Sequence, residues 1–283
     1  MGSFAGTLRA IENYIRAAAA LSRLGASPTA AAKVAIVTCL MPLKRLAPAF
    51  AARWTRLDLR YGGRIVRWHV SDGSELLCLA DILCFEQYRL PAHLAPATIV
   101  DLGSNVGSSV LYFATRYPGV RIVAVEPDPA TFGKLRANVG SIEGVEAICV
   151  AVGGTDGEAA FYPSPRTWES SFRPTPLSGE PISVRVVTLD TLLAELGLDR
   201  VDLVKLDVEG AEYEVLRASR ALRTSVGAVI GELHPGLPET YAAMRELLAD
   251  LEGFQVEYVR DARDELFRAV RADAGSARSA PAR

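Results

Sequence analysis

Histidine and cysteine are scarce in this chain of 283 residues, with three of the first and four of the second. His69, His93 and His234 lie far apart, and Cys39, Cys78, Cys84 and Cys149 form no C-x-x-C pair. That scarcity excludes a zinc site built from closely spaced ligands. Each cysteine stands among apolar residues, the pattern of buried, reduced thiols, so the expected compartment is the cytoplasm. Excess charge is missing as well. Lys plus Arg number 31 against 33 Asp plus Glu, a net of −2, so nothing favours nucleic acid as a partner. Long hydrophobic runs are also lacking. Residues 34–43, VAIVTCLMPL, reach about half the ~20 residues that a membrane-spanning helix needs, and Pro42, Lys44 and Arg45 interrupt the run. No small-residue cleavage site follows a basic start. The expectation is a chain without a transmembrane segment, with weak peripheral membrane contact through 34–50 as the sharper alternative.

The informative stretch is 98–129, TIVDLGSNVGSSVLYFATRYPGVRIVAVEPDP. A short apolar run ends in Asp101, a turn carries Gly103, Ser104, Asn105 and Gly107, a helical segment follows, and a second run closes on Glu126. Strand, tight turn, helix and a second strand tipped by a carboxylate make the first half of a nucleotide-cofactor site on a parallel sheet. The two glycines let the backbone bend sharply and approach a ligand. Glu126, 25 residues beyond Asp101, stands where an acid accepts hydrogen bonds from both hydroxyls of a ribose. Asn105 occupies the middle glycine of the dinucleotide pattern G-x-G-x-x-G, and the turn has no Lys or Arg for a pyrophosphate. Two acids at the mouth suit a ligand with a cationic end and no phosphate, as S-adenosylmethionine is. An ordinary βαβ turn with no ligand is the bland alternative.

The flanks read as follows. Residues 4–50 predict two or three short helices that cap the core or cover its site. LDLRYGGRIVRWHV (57–70) predicts a hairpin about Gly62-Gly63, 75–79 a strand, and 81–90 a helix ending at Pro91. After Glu126 the spacing predicts a helix at 128–139, a strand at 145–152, the turn GGTDG and a short strand at 159–162. Residues 163–181 hold five prolines, an irregular segment of the kind that shapes a site. Further strands are predicted at 182–188, 201–206, 226–232, 254–260 and 264–270, with helices at 189–196, 212–220 and 238–252. The tail from 271 lacks apolar periodicity and predicts disorder. The fold class is α/β: a doubly wound, mostly parallel seven-stranded sheet with an antiparallel edge hairpin. The expected division is a helical segment over 1–56, a hairpin and lead-in helix over 57–96, a catalytic domain over 97–270, and the tail.

A second constellation is VDLVKLDVEGAE (201–212). Alternation puts Lys205 and Asp207 on one side of a strand, and a lysine in an apolar strand needs a carboxylate. A structural ion pair and a functional pair are equally open here, while Glu212 reads as a solvated helix start.

DLGSNVG, VEPDP and KLDVEGAE together resemble the FkbM family of S-adenosylmethionine-dependent methyltransferases, over about residues 97–235. The resemblance implies a class I methyltransferase fold and O-methylation of a hydroxyl, often on a sugar, a glycolipid or a polyketide-type product. It implies that Asp101, Gly103, Asn105 and Gly107, with Ser104 beside them, hold the methionine end. Glu126 and Pro127 would serve the ribose, Ala151 and Asp156 the adenine, with Asp207 at the rim. An aliphatic hydroxyl barely ionises at neutral pH and asks for a base. His234 is the first candidate, with Asp207, Glu209 and Lys205 as the other catalytic candidates. No metal site is required by spacing, although Asp207, Glu209 and Glu232 would suit magnesium. The expected partner is a small-molecule hydroxyl acceptor, and homo-oligomerisation stays open. An NAD-dependent oxidoreductase and a non-catalytic cofactor-binding protein are the alternatives.

Overall fold

The computed structural model describes residues 4–41, 54–164, 170–234, 238–260 and 265–272. The chain opens with α1 (Phe4–Ser22) and α2 (Pro28–Leu40). Ser27 caps α2, its side chain accepting from the Ala30 amide, and Pro28 suits the first turn. The hairpin forms as expected: β1 (Thr55–Tyr61) and β2 (Arg64–Val70) pair antiparallel about Gly62 and Gly63, which have φ of +56° and +77°.

The next element differs from expectation. One helix, α3 (Gly73–Leu83), replaces the strand over 75–79 and the helix over 81–90. The cause is local. Asp72 accepts from the Ser74 amide while the Glu75 carboxylate reaches back to the Asp72 amide, a capping box that starts a helix there. Leu76, Leu79, Ala80 and Leu83 then recur at helical spacing on a buried face.

The main sheet has seven strands in the order β11-β12-β10-β9-β3-β4-β5. These are β3 (Thr98–Leu102), β4 (Arg121–Val125), β5 (Val145–Ile148), β9 (Val201–Leu206), β10 (Val226–Leu233), β11 (Phe254–Arg260) and β12 (Glu265–Arg271). The strands from β10 to β5 are parallel, and β12 runs antiparallel between β10 and β11, as expected for the closing hairpin. Helices α4 (Ser108–Arg116), α5 (Pro129–Val139), α6 (Leu189–Glu195), α7 (Glu212–Ala218), α8 (Ala221–Thr224) and α9 (Pro238–Ala249) make up the crossovers.

The expected strand over 145–152 is split. β5 stops at Ile148, where its partner β4 has ended at Val125; β6 (Ala151–Val152) then pairs with β8 (Ile182–Val187), beside β7 (Gly157–Phe161), in a separate three-stranded sheet.

Strand alternation divides the core. Ile99, Ile122, Leu203 and Ile230 face one apolar cluster, and Val100, Val123, Val204 and Val229 face another. The first cluster also takes in Leu57, Leu59 and Trp68 of the hairpin and Leu76 and Leu79 of α3, so residues 57–83 share the core of the sheet. The cysteines depart from the expectation of burial: Cys39 and Cys149 are exposed, Cys78 and Cys84 half-buried, and none is paired. No helix among the described residues is long and apolar enough to cross a membrane. The tail beyond 272 and the stretch 42–50 lie outside the described residues.

Candidate active site

From β3 the sheet grows outward through β4 and β5, and from β9 through β10, so the strand order reverses between β3 and β9. Open parallel sheets bind ligands at the carboxyl ends flanking such a reversal. A cavity of about 320 Å³ opens there.

The turn after β3 forms one wall. At Gly103 (φ +76°) an added Cβ would lie 1.7 Å from the Asp207 carbonyl oxygen, so the two strand ends approach too closely for any side chain. Ser104 locks the turn, its hydroxyl donating to the Asp101 carbonyl at 2.9 Å and accepting from the Val125 amide at 3.1 Å. Asn105 takes the left-handed conformation (φ +49°), which Asn tolerates, and aims its amide at Glu126 Oε2, 3.0 Å away. Gly107 (φ +98°) begins α4, and a Cβ there would press on Val139 at 2.7 Å.

Glu126 is buried at the tip of β4, and its other oxygen accepts from the Asp128 amide at 2.9 Å. Burial pushes its pKa up to about 7, against the lowering effect of the Asp128 and Asn105 amides and of Lys205. Asn105 Oδ1 and Ser108 Oγ are buried in the cavity lining with no hydrogen-bond partner among the described residues. Unsatisfied polar atoms beside a buried carboxylate fit a ligand that brings its own hydroxyls and amines. Acids dominate the lining, with Asp81, Glu126, Asp207, Glu209 and Glu232 against His234, which fits a cationic ligand. S-adenosylmethionine meets both conditions.

Lys205 lies beneath the turn. Its ammonium donates to the Gly103 carbonyl at 2.8 Å and pairs with Asp207 Oδ2 at 3.1 Å and Asp101 Oδ1 at 3.3 Å. Burial opposes its charge, yet Asp101 and Asp207 raise its pKa overall. Asp101 is wholly buried and also accepts from the Ser109 hydroxyl. Neither Lys205 nor Asp101 lines the cavity, so the structure places both under the site as an ion pair. Asp156 stands apart too; its carboxylate accepts from the Thr188 amide and the Thr191 hydroxyl and tethers the start of α6. Gly107 lies behind the wall. Gly103, Ser104, Asn105, Glu126, Pro127, Ala151, Asp207, Glu209 and His234 all line the cavity.

The same cavity is also lined by a caged imidazole. His234 Nδ1 lies 2.9 Å from Glu212 Oε1, while Nε2 faces Glu209 and Glu232 oxygens at 3.6 Å and Asp207 Oδ1 at 4.0 Å. Burial disfavours the imidazolium, but Glu209, Glu212 and Glu232 outweigh it and hold the pKa well above the ordinary histidine value. Glu212 corrects the expectation of a solvated helix start. It is fully buried and accepts from the Val208 and Gly210 amides at 3.1 and 2.9 Å, so it shapes the loop and aims His234. Glu209 itself has left-handed backbone (φ +52°), strain of the kind stored at functional sites. Burial and the neighbouring acids raise its pKa despite His234.

Tyr88, just beyond α3, had no signal in the sequence. Its buried hydroxyl lies 3.0 Å from Asp207 Oδ2 and 2.9 Å from Glu232 Oε1 and ties the two strand ends together. Gln87 donates to the same Glu232 oxygen, and Cys78, Phe161 and Phe172 complete the wall. The sequence required no metal site, and the acids that would suit magnesium, Asp207, Glu209 and Glu232, are not the three the structure groups. Among the described residues, Asp207, Glu232 and His234 have ligand atoms within 4.8 Å of one another, and a nitrogen donor suits a transition ion better than magnesium.

A doubly wound sheet with this closing hairpin, a glycine turn and a carboxylate-tipped second strand defines a class I S-adenosylmethionine-dependent methyltransferase. The Methyltransferase FkbM domain matches residues 101–256, and the chain belongs to that family. Among its relatives, the 31-O-demethyl-FK506 methyltransferase FkbM of Streptomyces tacrolimicus is 29% identical over 70% of this chain and 88% of its own length. The 2-O-methyltransferase NoeI of Sinorhizobium fredii is 28% identical over 56% of this chain and 72% of its own. The AMB antimetabolite synthetase AmbE of Pseudomonas aeruginosa is 27% identical over 74% of this chain, which spans only 12% of that protein.

Proposed function

We propose that the chain transfers a methyl group from S-adenosylmethionine to a hydroxyl of a small molecule, a sugar, glycolipid or polyketide-type product. The carrying observation is the caged His234, which lines the same cavity as the glycine turn and Glu126. Residues 97–270 would form the catalytic domain, with 1–56 and 57–96 as additions, the second supplying Tyr88 and Gln87 to the acceptor wall.

Bound in the cavity, the cofactor supplies an electrophilic methyl on a sulfonium whose leaving thioether needs no acid. The chain's residues must bind, align and deprotonate. Glu126 would accept from the ribose hydroxyls, and the partnerless Asn105 Oδ1 and Ser108 Oγ would meet the cofactor's polar groups. Lys205 holds the Gly103 carbonyl, so the turn and the Asp207 strand end keep one spacing. His234 Nε2 takes the acceptor proton, and Glu212 fixes the ring and stabilises the imidazolium that results.

The NoeI and FkbM names both record O-methylation, which supports the hydroxyl reading. A divalent ion at Asp207, Glu232 and His234 is the second reading, favoured by their grouping. Dialysis against EDTA would abolish turnover on that reading and leave it unchanged on the first.

The test is incubation with S-adenosylmethionine and a panel of sugars, glycolipids and macrolides, with S-adenosylhomocysteine as readout. His234 serves as base only when neutral. Because its carboxylate neighbours raise its pKa, activity should climb as pH rises through that raised value and level off above it. Glu212→Gln removes one of the raising charges and should move the climb to lower pH. A pH profile identical in wild type and Glu212→Gln sinks the base assignment.

A further inference from the structure

Helix α2 is apolar on every side and yet exposed along one of them. PTAAAKVAIVTCL carries Lys33 as its single charge, and such a helix is ordinarily buried in a core or set against lipid. Within α2, Val34 and Thr38 are the buried residues, while Ile36 (58% exposed) and Leu40 (54%) point outward, one turn apart. The helix packed along it, α1, repeats the pattern with Ile11 (50%) and Ile15 (59%). These four are half of the eight large apolar side chains exposed among the described residues.

Charge says what covers them. Residues 1–56 hold eight Lys or Arg and Glu12 as the sole acid, a net of +7; the other residues hold 23 basic and 32 acidic groups, a net of −9. Arg9, Arg16 and Lys33 are exposed on the two helices, and Arg23 in the turn between them. A second copy docking through the same face would set like charge against like. An anionic surface with an apolar interior satisfies both the cations and the isoleucines.

We propose that the α1–α2 face docks on an anionic lipid surface, its four aliphatic side chains entering the headgroup boundary. At 13 residues α2 is about 20 Å long, short of the ~30 Å hydrocarbon core, so it lies in the plane and does not span. The surface adjoins the cavity. The Arg16 guanidinium stacks on the Phe85 ring at 4.0 Å, and Phe85 leads directly into Gln87 and Tyr88 of the acceptor wall. Docking therefore sets that wall beside the lipid, where an acceptor carried on a lipid could enter. The docking itself does not depend on which acceptor is methylated.

The experiment is co-sedimentation of the full chain with vesicles of phosphatidylcholine, alone or with about 30% phosphatidylglycerol. Sedimentation is expected with the anionic vesicles alone, and to fall away at about 0.5 M salt, where screening shortens to a few ångströms. The exposed-site double variant Ile36→Asp/Leu40→Asp should bind at least about tenfold more weakly, with circular dichroism and S-adenosylmethionine affinity like the parent's. Lys33→Glu/Arg23→Glu, which leaves the apolar face alone, should weaken binding to the same vesicles. Equal sedimentation of parent and Ile36→Asp/Leu40→Asp, or no retention on anionic vesicles, overturns the proposal. So does a dimer seen by light scattering that Ile36→Asp/Leu40→Asp dissolves, since the face would then belong to a second copy.

Discussion

At the scale of single residues, Glu126 is where the chain's chemistry and its electrostatics meet. A carboxyl raised to about 7 by burial is half protonated near neutrality. Hydroxyl donors from a ribose favour the charged form, so a bound cofactor lowers that pKa and the proton competes with the ligand. Affinity for S-adenosylmethionine should be greatest above about pH 7 and weaken roughly tenfold as pH falls from about 8 to about 6. Glu126→Gln should be weaker at high pH and flat across the range. Calorimetry that finds parent and variant equally pH-dependent would falsify the ribose assignment. The sequence made this residue legible, because a carboxylate ending the second strand has one place to go. Glu212 and Tyr88 were hidden for the opposite reason. A glutamate opening a helix reads as solvated, and only the closeness of His234 and the 208–210 loop buries it. Tyr88 reaches Asp207 across 119 positions of chain, a distance no local pattern encodes.

At the scale of elements, local chemistry settled the contest where periodicity misled. The capping box of Asp72 and Glu75 starts α3, and the apolar residues that resembled a strand follow it onto a helix face. Glu75 has a second task. Wholly buried, it pairs with the Lys134 ammonium of α5 and accepts from Ser71, joining α3 and the end of the hairpin to α5. Lys134→Met would leave that carboxylate buried without its cation, a loss of about 3–5 kcal/mol. Urea unfolding should show the midpoint falling by the corresponding amount, and an unchanged midpoint would dismiss the pair as a clamp. His69 and Asn138 make a parallel link, through the His69 amide at 2.7 Å and the Val106 carbonyl at 2.9 Å. The hairpin is therefore bolted to the back of the cofactor turn, although its own sequence shows only two strands and a Gly-Gly turn.

At the scale of the molecule, the cavity belongs to no single segment. Residues from α3 and its following loop, the β3 and β4 turns, the small sheet and the ends of β9 and β10 all line it. A ligand that bridges these walls stabilises the folded state over the unfolded chain, by about 2.7 kcal/mol at about a hundred times its dissociation constant. Thermal unfolding should shift upward with S-adenosylmethionine and by much less in Glu126→Ala. No shift in the parent would contradict the assignment of this cavity to the cofactor. By itself the sequence determined the alternation of strands and helices, the closing hairpin, the glycine turn and the acids at the strand tips. Those features depend on periods and spacings of a few residues, where backbone geometry dictates the outcome. Tertiary structure alone decided the rest. It put Asp101 and Lys205 under the floor, left Asp156 at a helix start, and enclosed His234 among four carboxylates. Burial and charge proximity are set by packing between distant strands, and these decide whether an ionisable side chain carries out chemistry or supports it.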